Sequence, residues 1–188
     1  MTQHKRVIYD PEHEILRNEI RSFLAEFALP KLDDWEKQGH AERVIWNQLG
    51  EIGGMSCMLP EAYGGTEGDM RMAAVIYEEI GRCGVAGMGG IGVHDIVAYY
   101  LLHHGNDKLK DTWLPKAANG DALFAVAMTE PGAGSDLRGI KLVHNARATT
   151  TPLTVQKFLL LMELWQMQLP LFVAQIPLPN AVVSACCW

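Results

Sequence analysis

From Asp10 to Ala118 apolar residues recur at three- and four-residue spacing, and at Leu123 that spacing stops. This change of period constrains the fold more than any single residue does. A 3.6-residue period lays apolar side chains along one face of a helix, whereas a short apolar run bounded by turns belongs to a strand. The first stripe is Ile15, Leu16, Ile20, Phe23, Leu24 and Phe27, opened by Asp10 as N-cap with Pro11 at the first helical position and ended by Pro30. A second run holds Val44, Ile45, Trp46, Leu49 and Ile52, with Trp35 nearby, and closes at Gly53-Gly54. Both Trp residues read as core. Asp69 caps a third helix with a buried face of Ala73, Ala74, Ile76, Tyr77 and Ile80, and Glu78-Glu79 reads as a solvated pair beside it. His94, Val97, Leu101 and Leu102 lie on a fourth. Asn106 caps a fifth that carries Leu109, Trp113 and Leu114 toward Ala118 and kinks or ends at Pro115. After the Asn119-Gly120 turn, Leu123 to Met128 reads as a buried strand. Helices followed by a strand predict a mainly α fold that opens into a β-domain.

The strand runs into Ala127-Met128-Thr129-Glu130-Pro131-Gly132-Ala133-Gly134-Ser135-Asp136. Pro131 stops it by fixing φ and removing a ladder donor. Gly132 and Gly134 leave the main chain bare, so its N–H groups can meet an anion or the edge of a planar heterocycle. Thr129 and Ser135 add hydroxyls that donate or accept. On content alone this is also an ordinary polar turn. Its order, continued by Gly139-Ile140-Lys141, resembles the flavin-binding signature of the acyl-CoA dehydrogenases. A second match, Pro60-Glu61-Ala62-Tyr63-Gly64-Gly65, is similar to a loop between the early helices of that family. The resemblance covers residues 10 to 141.

The resemblance implies an N-terminal helical domain over residues 1–120 and the first strand of a flavin-binding β-barrel domain over 121–141. It implies FAD as cofactor, contacted by Met128, Thr129, Gly134 and Ser135, with Ser135 also facing the acyl-CoA substrate. In the family the flavin N5 takes a hydride from the substrate β-carbon while a glutamate removes the α-proton, giving a trans-2-enoyl-CoA and a reduced flavin whose electrons pass to an electron-transfer acceptor. That glutamate lies in a C-terminal helical domain, which also makes most of the homo-oligomer contacts. No residue here matches it, so no catalytic residue is assigned, and the chain by itself is expected to be inactive. An acyl-CoA oxidase-like flavoprotein shares the motif. A non-enzymatic helical module that packs against a partner is the competing class.

Other chemistries find little support. A net charge of -6 gives no footprint for nucleic acid. Cys57, Cys83, Cys186 and Cys187 show neither zinc spacing nor a secreted framework, and with no signal or transit pattern the expected setting is cytoplasmic. His94-Asp95 and His103-His104 lack partners at ligand spacing, so no metal is expected. No G-x-S-x-G motif supplies a nucleophile. Gly87, Gly89 and Gly92 spell a G-x-G-x-x-G, but a helix precedes them where a dinucleotide fold needs a strand. The stretch reads as a close-packed turn between helices, which in the family helps border the acyl-chain pocket.

From Leu142 onward element logic fails. Thr149-Thr150-Thr151-Pro152 belongs to no element, and the apolar stretch from Phe158 to Ala174 is broken by Glu163, Gln166, Gln168 and Pro170. A membrane span needs about 20 predominantly apolar residues, so none is expected. The genetic code offers an explanation. Read from the third base of each codon, Met162-Glu163 forces Gly, Trp165-Gln166 and Met167-Gln168 each force Ala, and Cys186-Cys187-Trp188 forces Leu-Leu. The other positions from Leu153 to Gln168 permit Asn-Gly-Ser-Lys-Ile-Phe-Ile-Thr-Asn-Gly-x-x-Ala-Asp-Ala, which resembles the next barrel strands of the same family. Residues 142–188 are therefore expected to be an irregular tail translated out of frame to an early stop.

Overall fold

The computed structural model describes residues 8–126, Ser135, Leu171–Ala174 and Val183–Cys186. Six α-helices carry the described part: α1 (Pro11–Phe23), α2 (Leu32–Gln38), α3 (Val44–Glu51), α4 (Met70–Arg82), α5 (Ile91–His104) and α6 (Asp107–Ala118). Asp10 caps α1 with Pro11 in its first turn. Ile20, Phe23 and Leu24 are buried, but Ile15 is 68% exposed and His13 takes a core position in its place. Its imidazole accepts the Asp10 N–H at 3.1 Å, which makes burial of a polar ring tolerable.

Pro30 does not break the chain's helical course. The hydrogen-bond ladder is re-registered around the missing donor, through a π turn over Leu24–Ala28 and a 3-10 turn over Leu29–Lys31, before α2 begins. Gly53 follows α3 with φ +71°, and its N–H and that of Gly54 close the last carbonyls of α3. Asp69 caps α4 by accepting from the N–H groups of Arg71 and Met72 at 2.8 and 3.0 Å. Asn106 caps α6, accepting from Leu109 N–H at 2.9 Å. Pro115 sits inside α6, which continues to Ala118 instead of ending there. The proline falls in the last turn, where one lost donor interrupts little of the ladder.

α1 packs on α4 and α5 on α6. The first core gathers Ile20, Trp35, Trp46, Leu49 and Ile76, so both Trp residues are core as their spacing predicts. The second gathers Leu59, Val97, Leu101, Leu114 and Phe124. The turn after α6 seats closely on α3. Gly120, at φ +78°, approaches so near that an added Cβ would lie 2.4 Å from the Trp46 carbonyl oxygen. The Arg43 guanidinium donates to the Gly120 carbonyl, and Asn47 Nδ2 donates to Asp121 Oδ1 at 2.8 Å.

Leu123 to Val126 forms no strand ladder among the described residues. A strand needs a neighbour to pair with, and its side chains nevertheless behave as a strand's. Leu123 and Ala125 enter the first core while Ala122, Phe124 and Val126 face the second. Met128, where the expected strand ends, lies outside the described residues. In the tail, read from sequence as irregular, Leu171–Ala174 (β1) pairs antiparallel with Val183–Cys186 (β2), with Leu171 opposite Cys186 and Ala174 opposite Val183. A two-stranded ladder of this kind is marginal by itself. Among the described residues no helix is long and apolar enough to cross a membrane.

Candidate functional site

Of the four flavin contacts expected from sequence, Met128, Thr129 and Gly134 lie outside the described residues. Ser135 is described and exposed. What the structure builds in detail is the approach to that loop. The Ala122 N–H donates to the Lys116 carbonyl at 2.8 Å, and the Phe124 N–H donates to His94 Nδ1 at 3.0 Å. The residues from Ala122 to Ala125 are buried.

His94 and Asp95 belong to a buried polar chain that crosses four elements. An N–H can only donate, so His94 Nδ1 must be the unprotonated nitrogen and its proton sits on Nε2. Nε2–H then donates to Ser56 Oγ at 3.0 Å. The Ser56 hydroxyl donates in turn to Asp95 Oδ1 at 3.3 Å, and the Ser56 N–H reaches the same oxygen at 3.0 Å. Tyr77 donates its hydroxyl to Asp95 Oδ2 at 2.5 Å. The set has the composition of a Ser–His–Asp triad but the wrong polarity. His94 offers Ser56 a proton where a general base must offer a lone pair, so Ser56 is no activated nucleophile. Sequence order did not reveal this chain, because Ser56 stands 38 residues from His94.

Burial sets the charge states. It pushes His94 down to about 4, with the Ala117 carbonyl opposing the shift. It pushes Asp95 up to about 6 against the hydrogen bonds from Tyr77 and Ser56. The Tyr77 hydroxyl is raised by burial and by the neighbouring Asp95. Burial also raises the Cys57 thiol to about 12, which keeps it unreactive. Ser56 holds φ +47°, an uncommon left-handed conformation for a non-glycine residue, and both its polar groups are bound there.

Glu79, read from sequence as half of a solvated pair, is 1% exposed. Arg21 holds it through Nε at 2.9 Å and Nη2 at 3.0 Å, and Arg17 Nη1 reaches it at 2.9 Å. Burial would raise its carboxyl, but the arginine hydrogen bonds outweigh that and hold it below its ordinary value. The pair therefore stitches α4 to α1. Asp10, Glu12 and His13 bring ligating atoms together. Two of the three residues have other partners, since His13 Nδ1 accepts the Asp10 N–H and the Asp10 carboxylate pairs with Arg71 at 2.8 Å.

The Gly84 to Gly92 stretch runs from the turn after α4, through a short 3-10 segment at Ala86–Met88, into the first turn of α5, with a helix and not a strand before it. It is not a dinucleotide fingerprint. A cavity of 380 Å³ opens beside it, lined by Tyr77, Ile80, Gly84, Ala86, Ile91 and Gly92. On the outer side of α5 a groove of 600 Å³ runs past Met58, Met70, Ile96, Tyr99, Tyr100 and His103. His103 and His104 pack against Tyr99 and Tyr100, at ring separations of 4.9 and 5.9 Å.

Residues 10–121 match the acyl-CoA dehydrogenase N-terminal domain family. The chain is 36% identical over 136 residues to the mitochondrial long-chain specific acyl-CoA dehydrogenase of Sus scrofa, covering 72% of this chain and 32% of that protein. Its fold is similar to the crystal structure of acyl-CoA dehydrogenase from Geobacillus kaustophilus, with TM-score 0.68, 40% identity, and coverage of 71% of this chain and 35% of that one. It is also similar to the Bacillus anthracis acyl-CoA dehydrogenase complexed with FAD, with TM-score 0.61, 30% identity, and coverage of 71% and 23%. The 188 residues thus span about a third of the length of the curated relatives they match. With a family match across the whole helical region, the chain belongs to the acyl-CoA dehydrogenase family.

Proposed function

We propose that residues 1–120 are the N-terminal helical domain, and 121–141 the start of the flavin-binding β-domain, of an FAD-dependent acyl-CoA dehydrogenase. That enzyme would convert acyl-CoA thioesters to trans-2-enoyl-CoA and pass electrons to an external acceptor. The observation that carries the reading is continuity: the family match over 10–121 is followed at once by the Met128–Asp136 signature. Met128, Thr129, Gly134 and Ser135 are the residues assigned to FAD, and Ser135 also to substrate. FAD, when bound, supplies the hydride acceptor. Among the described residues Ser135, which is exposed, belongs to this set.

What the described residues contribute is room and support. Gly84, Ala86 and Gly92 are small, and they border the 380 Å³ cavity that we assign to the acyl-pocket side of the domain. Residues 142–188 are read as translated out of frame. By themselves the 188 residues are proposed not to turn over substrate, since none of them is assigned as the base that removes the α-proton. The intact protein is proposed to be a homo-oligomer in a cytoplasmic setting, in keeping with free thiols at Cys57 and Cys83.

Two assays test this. The purified chain with FAD, an acyl-CoA and an artificial electron acceptor should show no turnover above a no-protein control, and turnover would contradict the assignment of no base. The gene expressed with its frame restored after Lys141 should oxidise acyl-CoA, and failure across short, medium and long acyl chains would overturn the enzyme reading. One observation favours the helical-module alternative: Ile96, Tyr99 and Tyr100 are exposed together on α5. A chain that stays soluble, monomeric and helical in solution would support that class, and a chain that aggregates would support the incomplete enzyme.

A further inference from the structure

The segment that enters the signature is held in an unusual way. Among the described residues Ala122 to Val126 has no ladder partner, and two of its buried amides bond outside any ladder. Ala122 uses the Lys116 carbonyl. Phe124 uses a side chain, the His94 imidazole, and its ring lies 5.2 Å from that imidazole. His94 is itself fixed from the other side by Ser56, which is held at φ +47° by the Asp95 carboxylate.

We infer that His94 is a positioning residue, locked as the neutral Nε2–H tautomer between Ser56 and Phe124, that docks the segment 122–126 carrying the chain into the Met128–Ser135 loop. The polarity of the network requires this tautomer. The opposite one would set an N–H of His94 against the N–H of Phe124, and would leave the Ser56 hydroxyl shared between His94 Nε2 and Asp95. The alternation of Leu123 and Ala125 with Phe124 between the two cores depends on the same anchor, because a one-residue slip would exchange the faces. The inference rests on the flavin reading for what the segment carries, but not for the docking itself.

The test uses the full chain labelled with 15N, as wild type, His94→Leu and His94→Gln. Nitrogen shifts of wild-type His94 at neutral pH should show Nε2 protonated and Nδ1 bare. Removing the acceptor in His94→Leu should speed exchange of the Phe124 amide by about tenfold or more relative to the Ile20 and Ile76 amides, since local opening then costs less. His94→Gln, which keeps an acceptor oxygen, should recover most of that protection. A protonated Nδ1 in the wild type would overturn the proposal, and this readout stands even where His94→Leu fails to fold. Equal changes at Phe124, Ile20 and Ile76, or no recovery in His94→Gln, would overturn it too. None of these readouts involves flavin. Failure of the frame-restored protein to bind FAD would contradict the flavin assignment and leave the positioning role intact.

Discussion

Glu79 on α4 and Asp95 on α5 are both buried carboxylates, and they are held by opposite means. Arg17 and Arg21 bring cations to Glu79, so it stays ionised and joins two helices through charge. Asp95 receives hydroxyl and amide donors from Tyr77 and Ser56, and burial pushes its carboxyl up to about 6. An ion pair can form wherever two side chains reach each other. A chain of neutral donors works in one polarity alone, so the Asp95 region specifies geometry while the Glu79 region specifies adjacency.

The largest effect should come from breaking the charged seam. Glu79→Gln takes the carboxylate from Arg21 and leaves Arg17 with Glu78 and Glu14, and should cost about 3 kcal/mol, toward the lower end for a buried pair because Arg17 keeps those partners and Arg21 is partly exposed. Urea unfolding followed by Trp fluorescence measures it. A loss within the surface-pair range of about 0–1 kcal/mol would place Glu79 among the solvated pairs after all.

The hydrogen-bonded region should respond to pH between about 4 and 6.5, whereas Glu79, held below its ordinary value of 4.5, gives up its contribution only at more acid pH. Asp95 keeps its proton in the folded chain up to about 6, against an ordinary value of 3.8. Its contribution is therefore full below 3.8 and is lost as pH rises through about 6. His94 has the reverse sign. Burial lowers it from 6.5 to about 4, so its contribution is full above 6.5 and is lost as pH falls through about 4. The two oppose each other across one window, each by roughly 3 kcal/mol at most. Asp95→Asn removes the falling member. Relative to wild type its stability should climb between pH 4 and 6, as read from unfolding curves at unit steps of pH. Parallel curves would show that Asp95 carries no such shift.

Smaller effects mark the edges of the comparison. Asp69→Ala removes the cap that binds the Arg71 and Met72 amides, and should cost about 1 kcal/mol in thermal unfolding. Lys37→Ala removes an exposed i,i+3 pair with Asp34 at 3.7 Å, and should change stability by less than about 0.5 kcal/mol. A larger loss there would mean that surface charge matters in this chain more than its burial pattern implies.

Local chemistry carried most of the fold into the sequence. The Asp10, Asp69 and Asn106 caps, the close of α3 at Gly53 and the core roles of Trp35 and Trp46 depend on neighbours a few residues away. Ile15 misled because the helical stripe permits either edge to face inward, and His13 gains its buried place from a hydrogen bond that periodicity does not record. Glu79 misled because its cations stand on α1, 58 and 62 residues away. Ser56 was invisible for the same reason. The segment from Leu123 to Val126 was legible as alternating faces, while a ladder depends on a partner strand that its own residues cannot specify. The signature loop was read from residue order, and of its assigned contacts the described residues include Ser135.

Family sequence is proposed to run through Lys141 and to continue, in another frame, beneath the tail. Independent sequencing of the gene from the codon for Ile140 through that for Trp188 tests it most directly. The third-base frame should read continuously through Asn-Gly-Ser-Lys-Ile-Phe-Ile-Thr-Asn-Gly over the codons for Leu153 to Glu163. A stop codon in that frame, or a reading there with no likeness to barrel strands, would contradict it and make the tail a sequence in its own right.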